Sequence, residues 1–300
     1  MLNIYNFKKF LTNKNNEPWI LLTPSLIVLV PLPIFLFEYI IRNSLYEWSL
    51  SMPWLGKNFV GIDNFITLLA DDVALSSINT ALIFTFSSLF IELFLGLSVG
   101  HLLIDENRLM NTLRSFILLP MVITPVVVGL LWRMMYQGNL GIISYTLGEM
   151  GLPKTTILGD IKYALIAVII TSVWQNAPFL ILVVTAGLKS LPLEPYEAAL
   201  IDGASKWEMF IHITLPLLRP LLIIALLIRF IDAFRTFDII YIMTAGGPGI
   251  TTETISMHIF RKGFIVFDMG YAAALTLILF IVVNIFVIIF LKITNKQKNK

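Results

Sequence analysis

The chain has 300 residues, a net charge of +2 and no cysteine, and 57% of its residues are hydrophobic while only 13% are charged. Globular chains carry roughly 25% charged residues, so this chain has too little polar surface to cover a soluble core. The near-neutral charge argues against nucleic-acid binding, and the lack of cysteine excludes disulfides, thiol catalysis and cysteine-ligated metals. The composition predicts an all-α integral membrane protein.

Six segments are long and apolar enough to cross the roughly 30 Å hydrocarbon layer as helices. The predicted spans cover residues 19–41, 78–104, 116–136, 163–188, 216–243 and 271–291. The first follows a long polar prefix and lacks a small-x-small cleavage site, so it is predicted to be a retained anchor rather than a signal peptide. Pro120 and Pro125 predict a kink in the third span.

The distribution of Lys and Arg predicts the orientation of these spans. Of the 21 basic residues, twelve lie with the two termini and the loops after spans two and four, and six lie on the other side. The excess of Lys and Arg marks the cytoplasmic side. We therefore expect a cytoplasmic tail at 1–18, an extracytoplasmic loop at 42–76 with a short amphipathic helix within 59–69, a membrane core at 77–292 and a cytoplasmic tail at 293–300.

Span two contains one charge, Glu92, which we expect to form a hydrogen bond with another helix rather than to bind a substrate. Gly96 and Gly100 form a small-xxx-small face that favours close packing against a partner helix. Span four carries Trp174, Gln175 and Asn176 just before Pro178. That proline removes a backbone donor and predicts a broken helix at membrane depth.

Trp174, Gln175 and Asn176 have two interpretations. An aromatic face and two amides are the groups that a sugar needs for its C–H surface and its hydroxyls, so the three are candidates for a substrate pathway. The alternative is that they only pack against neighbouring helices. The residues alone leave both open.

The loop after span four is predicted to form two short helices. Pro195 lies in the first turn of one helix, which Gly203 ends in a left-handed conformation. Ser205 and Glu208 match a capping box that begins the second helix. Span five is then predicted to begin as a new helix at Pro216. The pattern indicates an ordered element that either lies on the membrane surface or inserts into a groove of another protein.

Span five carries four ionisable groups of alternating sign at a spacing of three residues: Arg229, Asp232, Arg235 and Asp238. A helix that faces only lipid does not tolerate four such groups, so this face must contact protein or water. They are interpreted either as ion pairs that hold span five against its neighbours or as a polar wall of a translocation pathway. Both roles are compatible. After this span, Gly246, Gly247 and Gly249 indicate a turn with backbone angles closed to other residues, and His258 is predicted to be solvated.

The loop also resembles a known family motif. Glu197-Ala198-Ala199, followed by three residues, Gly203, nine residues and Ile213-Thr214-Leu215-Pro216, is similar to the EAA loop, here 194–216, of the permease subunits of binding-protein-dependent ABC importers. Segments 59–65, 229–238 and 246–254 resemble the carbohydrate-uptake branch of that family, the MalF and UgpA type.

This resemblance implies the type I ABC importer (MetI-like) fold, with six transmembrane helices and a cytoplasmic coupling helix. Glu197, Ala198, Ala199, Asp202 and Gly203 would contact an ATPase subunit. The implied partners are a second permease, two ATP-binding subunits, an extracytoplasmic solute-binding protein and a sugar, in the cell membrane of a bacterium or archaeon. The chain lacks a G-x-x-x-x-G-K-[ST] loop, so ATP would be bound and hydrolysed by the partner. No cofactor, metal or catalytic residue is expected in this chain.

The expected cargo is a di- or oligosaccharide, with glycerol-3-phosphate or another small polar solute as the alternative. Two other function classes remain: an ion-coupled secondary transporter that uses buried carboxylates, and a polytopic membrane enzyme. The latter has only His101 and Asp105, four residues apart, as a potential catalytic pair, with no third partner.

Overall fold

A computed structural model describes residues 17–105, 107–138, 140–150 and 157–298. Most of the predicted N-terminal tail (1–18) therefore lies outside the described residues. The described chain is almost entirely helical, and its α-helices in order are α1 Glu17–Leu29, α2 Pro31–Ser44, α3 Asp63–Ala70, α4 Asp72–Leu102, α5 Arg108–Val122, α6 Pro125–Met135, α7 Ile142–Glu149, α8 Ala164–Lys189, α9 Glu194–Ile201, α10 Lys206–Met209, α11 Leu215–Phe234, α12 Asp238–Thr244, α13 Ile255–Phe260 and α14 Met269–Lys298.

Shorter elements complete the described chain. Two-residue strands β1 (Tyr46–Glu47) and β2 (Asn58–Phe59) pair antiparallel, with Tyr46 opposite Phe59. Single 3₁₀ turns lie at Pro53–Leu55 and Ile157–Gly159, and π turns lie at Phe210–Thr214 and Arg261–Ile265. The predicted amphipathic helix within 59–69 corresponds to α3.

By length and hydropathy, five helical stretches of the described chain can cross a membrane, and a bent pair raises this number to six. The five are Leu21–Ser44, Asp72–Leu102, Ala164–Lys189, Lys206–Phe234 and Met269–Lys292, and the bent pair is α5 with α6. The prediction of six spans therefore holds if the bent pair counts as one.

The third span differs from a kinked single helix. The axes of α5 and α6 meet at 96°. α5 passes through Pro120 and ends at Val122, whereas Thr124, which precedes Pro125, is extended with ψ 142°. A residue before proline is pushed out of the helical region, so Pro125 makes the break. The element also begins at Arg108 rather than at 116.

Two more predicted boundaries are wrong. The predicted break before span five is absent, because α10, the π turn and α11 form one stretch from Lys206 to Phe234. In a regular helix the ring of Pro216 would clash with the carbonyl of His212, four residues earlier. The π turn, which is wider than an α-turn, lies at that position. Span five also ends at Phe234 rather than at 243. The residues after it are non-helical until Asp238 begins α12, and the Thr236 hydroxyl donates to the Asp232 carbonyl at 3.0 Å, which satisfies an acceptor of the last turn.

The chain divides into two compact units. One contains the residues up to Thr67 together with Lys262–Leu277. In this unit the helices of the first span expose their apolar side chains, as a helix in lipid does, and the β-hairpin follows them. The Tyr46 and Phe59 rings lie 5.4 Å apart across the hairpin.

The second unit contains Leu68–Arg261 and the chain from Ile278 onward. Its centre is α8, which packs along α4. A methyl group placed on Gly96 would lie 3.0 Å from the Leu180 Cβ, and one on Gly100 would lie 2.9 Å from Cγ1 of Val184. The small-residue face of span two therefore packs closely against another helix, as predicted.

A candidate coupling loop and a polar cavity

The first candidate site is the helical loop formed by α9, its turn and α10. Local signals in the sequence position it as predicted. Pro195 lies in the first turn of α9 with Glu194 and Glu197, and Asp202 caps the helix. Gly203 then has φ +78°, a left-handed angle that glycine adopts without strain.

A capping box fixes the start of the second helix. The Ser205 amide donates to Oε2 of Glu208 at 2.7 Å, and the Glu208 amide donates to Oγ of Ser205 at 3.3 Å. The hydroxyls of Tyr196 and Thr214 lie 2.9 Å apart and share a hydrogen bond, which ties α9 to the π turn. The loop is therefore a braced pair of helices rather than a flexible connection.

This loop presents an apolar surface to its surroundings. Glu197, Ala198, Asp202 and Gly203 are exposed, and Ala199 is half-buried. Other side chains of the loop expose far more apolar area, and sequence reasoning did not single them out as contacts: Leu193, Leu200, Ile201 (86% exposed) and Trp207. The sequence did contain a signal for these side chains. Leu200 and Ile201 are adjacent at the end of α9, and a helix with only one packed face would not carry apolar residues at both positions.

A cleft of about 390 Å³ lies on the same loop. Its lining includes three of the predicted coupling residues, Ala199, Asp202 and Gly203, together with Glu208 and His212. Exposed apolar side chains beside carboxylates form a surface suited to a protein partner that carries an apolar groove and basic side chains.

The second candidate site is a polar cavity of about 260 Å³ in the second unit. Six of the seven predicted pathway residues line it, although they come from α8, α11, α12 and the segment between the last two: Gln175, Asn176, Arg229, Asp232, Arg235 and Asp238. The seventh, Trp174, lies elsewhere, with its ring 5.6 Å from that of Trp132 in an edge-to-face contact. Pro125, at the break between α5 and α6, also lines the cavity.

Arg229 forms a buried salt bridge with Glu92 of α4. Its Nε and one terminal nitrogen each donate to a carboxylate oxygen of Glu92 at 2.9 Å. The Arg229 side chain is 7% exposed and that of Glu92 is 0% exposed. A bidentate pair of this kind is the strongest arrangement that an arginine and a carboxylate form. The expected interhelical bond of Glu92 is confirmed, and it connects span two to span five.

The other charges on this face are arranged differently. Arg235 donates to Oδ1 of Asp232 at 3.1 Å, and the side chains of Arg235 and Asp232 are 66% and 45% exposed. The four charges do not lie on one helix, because Arg235 caps the end of α11 and Asp238 begins α12. They meet because the chain turns between these two helices.

The two amides of span four bind backbone carbonyls with their nitrogens. Nε2 of Gln175 donates to the Ile123 carbonyl at 2.9 Å, which satisfies an acceptor left by the break between α5 and α6. Nδ2 of Asn176 donates to the Ser172 carbonyl at 2.9 Å. Pro178 does not break α8, which is continuous from Ala164 to Lys189. The predicted broken helix in span four is therefore wrong, and the break lies in span three.

A third polar cluster follows the glycine turn. Gly246 and Gly249 have φ +88° and +60°, as the turn predicts. His258 is 1% exposed, so the prediction of a solvated histidine is wrong. Its Nδ1 lies 2.6 Å from a carboxylate oxygen of buried Glu253, and the other oxygen of Glu253 forms an ion pair with Arg261 at 2.8 Å. The acidic and basic residues that flank His258 closely in the sequence were the signal for this network.

Comparisons with known proteins agree on one class. The family described as the binding-protein-dependent transport system inner membrane component matches residues 92–300. The trehalose/maltose transport system permease protein MalF of Thermococcus litoralis is 38% identical over 81% of this chain and 82% of its own length. The sn-glycerol-3-phosphate transport system permease protein UgpA of Agrobacterium fabrum is 31% identical over 89% of this chain and 90% of its own. A chain of a bacterial ABC transporter involved in the import of the acidic polysaccharide alginate has a TM-score of 0.78 at 22% identity, over 93% of this chain and 96% of that one.

Proposed function

We propose that this chain, which belongs to the family of inner membrane components of binding-protein-dependent transport systems, forms half of the translocation pathway of an ATP-driven carbohydrate importer. It would lie in the cell membrane of a bacterium or archaeon with both termini in the cytoplasm. The relatives named for trehalose, maltose and sn-glycerol-3-phosphate support an importer permease for a small polar solute. The amides of Gln175 and Asn176 in the cavity lining favour a di- or oligosaccharide, and the 31% identical UgpA favours glycerol-3-phosphate as the alternative cargo.

The observation that carries the coupling proposal is the braced, exposed loop of α9 and α10. In this proposal Glu197, Ala198, Ala199, Asp202 and Gly203 contact a cytoplasmic ATPase subunit. Exposed apolar side chains such as Ile201 then become buried in a groove of that subunit, which supplies most of the contact energy. The exposed Glu197 carboxylate pairs with a basic side chain of the partner.

The remaining partners follow from the division of labour. One chain with six spans supplies half of a pathway, so a second permease subunit completes it. Two ATP-binding subunits lie below and a solute-binding protein delivers the sugar from outside. ATP binding closes the ATPase subunits and moves both coupling loops. The pathway then switches from inward-facing to outward-facing, which is a coupling of free energy between distant sites.

The experiment is uptake by the assembled importer in proteoliposomes with internal ATP. We expect Glu197→Lys and Gly203→Asp to abolish uptake while the chain stays in the membrane with its partner permease. Glu197→Asp is the matched control, because it keeps the carboxylate, and it should retain most of the activity. Uptake at the wild-type rate in both disruptive variants would contradict the coupling role.

The same vesicles separate the other function classes. Uptake should stop when ATP is depleted and should continue when a protonophore removes the proton gradient. The opposite pattern would identify an ion-coupled transporter instead.

A further inference from the structure

We infer that the polar cavity selects uncharged solutes rich in hydroxyl groups and excludes anions, with Asp238 as the residue that sets this preference. The inference deepens the proposed function and rests on it only for the step from cavity chemistry to cargo. Two properties of the lining support it: its charge balance disfavours anions, and its mixture of donors and acceptors suits hydroxyl groups.

The charge balance of the lining is negative. Two arginines and two aspartates line the cavity. The charge of Arg229 is neutralised by buried Glu92, and the charges of Asp232 and Arg235 neutralise each other at 3.1 Å. Among the described residues no basic side chain pairs with Asp238, which is exposed. One uncompensated negative charge therefore remains, and it repels an anionic solute at short range.

The hydrogen-bonding groups of the lining suit hydroxyl groups on the solute. Nε2 of Gln175 and Nδ2 of Asn176 each donate one N–H to a backbone carbonyl, and each amide nitrogen has a second N–H. Arg235 also has N–H groups beyond the one that binds Asp232, and the carboxylates of Asp232 and Asp238 only accept. The cavity therefore offers both donors and acceptors, and a sugar hydroxyl can donate and accept. Its preference against anions then comes from the charge balance.

The absence of cysteine allows a direct test of the cavity's potential. Thr236, which lies between the two aspartates in the sequence, lines the cavity, and Thr236→Cys places one thiol there. The thiol is labelled in membranes without ATP, using a cationic trimethylammonium-ethyl and an anionic sulfonatoethyl methanethiosulfonate. Adducts on this chain are counted by mass spectrometry. Each rate is divided by that of 2-mercaptoethanol with the same reagent, so that the intrinsic reactivity of the reagents cancels.

We expect the normalised cationic rate to exceed the anionic rate about tenfold or more. Asp238→Asn should bring the two rates within about twofold of each other, whereas Asp238→Glu, which keeps the charge, should preserve the difference. Maltose should slow the labelling more than maltose 1-phosphate at equal concentration, because the two sugars differ only in the anionic group. Equal rates or a faster anionic reagent, or stronger protection by the phosphorylated sugar, would overturn the inference.

This experiment fails independently of the coupling experiment. If the two reagents label equally while Glu197→Lys abolishes uptake, the proposed function stands and the selectivity is wrong. If the cationic preference holds while Glu197→Lys transports normally, the cavity chemistry stands and the coupling role is wrong.

Discussion

Replacing Glu92 by Gln tests the energetic role of the buried ion pair between α4 and α11. Glutamine keeps the volume and one acceptor oxygen but removes the counter-charge of Arg229, whose side chain is only 7% exposed. Removing one partner of a buried pair costs about 3–5 kcal/mol, because the other charge stays buried without compensation. At roughly 2–4 °C per kcal/mol for a unit of 150–250 residues, the expected decrease in melting temperature is about 6–20 °C.

The assay is thermal unfolding of the purified chain in detergent, followed by tryptophan fluorescence. Arg229→Met should be as destabilising as Glu92→Gln. The double variant Glu92→Met/Arg229→Met should melt above either single variant, because it buries no charge. Asp232→Asn is the control: its partner Arg235 is 66% exposed, so losing that pair should change stability by less than about 1 kcal/mol.

Two results would refute this reasoning. One is a melting temperature of Glu92→Gln within about 2 °C of the wild type, which would mean that the pair contributes less than about 1 kcal/mol. The other is a double variant that melts below both single variants.

Two further predictions concern packing and capping. Gly100→Leu should destabilise the chain by about 1–3 kcal/mol, because its Cβ would lie 2.9 Å from Val184. Leu102→Ala, on the exposed side of α4, is the control and should change stability little. Thermal unfolding compares the two variants, and equal melting temperatures would contradict the packing. Ser205→Ala should lose about 0.5–2 kcal/mol of local stability, measured as faster hydrogen exchange at residues 206–209, and Ser205→Asp should restore the protection. Unchanged exchange in Ser205→Ala would show that the capping box is dispensable.

Much of the loop formed by α9 and α10 could be predicted because its signals are local. Pro195, Gly203 and the Ser205–Glu208 box each determine the backbone within a few residues, and the structure has all three where expected. The fold class and the family are also confirmed, since the hydropathy pattern extends over most of the chain and the motif at 194–216 has a defined spacing.

Long-range pairing and proline effects could not be predicted in the same way. Glu92 and Arg229 are 137 positions apart, and no local pattern connects them. Pro178 and Pro125 both lie in apolar segments, but of the two only Pro125 follows an extended residue and interrupts the helix. The end of α11 depends on polar groups that come together only in the folded chain, so a hydropathy window extended span five past Phe234. Which predicted site residues contact partners and cargo stays a prediction.

The central claim is that the loop of α9 and α10 binds a cytoplasmic ATPase subunit and transmits its motion. The most direct measurement is photocrosslinking from a benzoylphenylalanine placed at Ala198, which is exposed on α9, in membranes that contain the assembled importer. We expect an adduct with the ATP-binding subunit, and its yield should change when ATP is added with an inactive ATPase variant. A loop that forms no adduct with this subunit, or that reacts with an impermeant reagent added outside intact cells, would contradict the account.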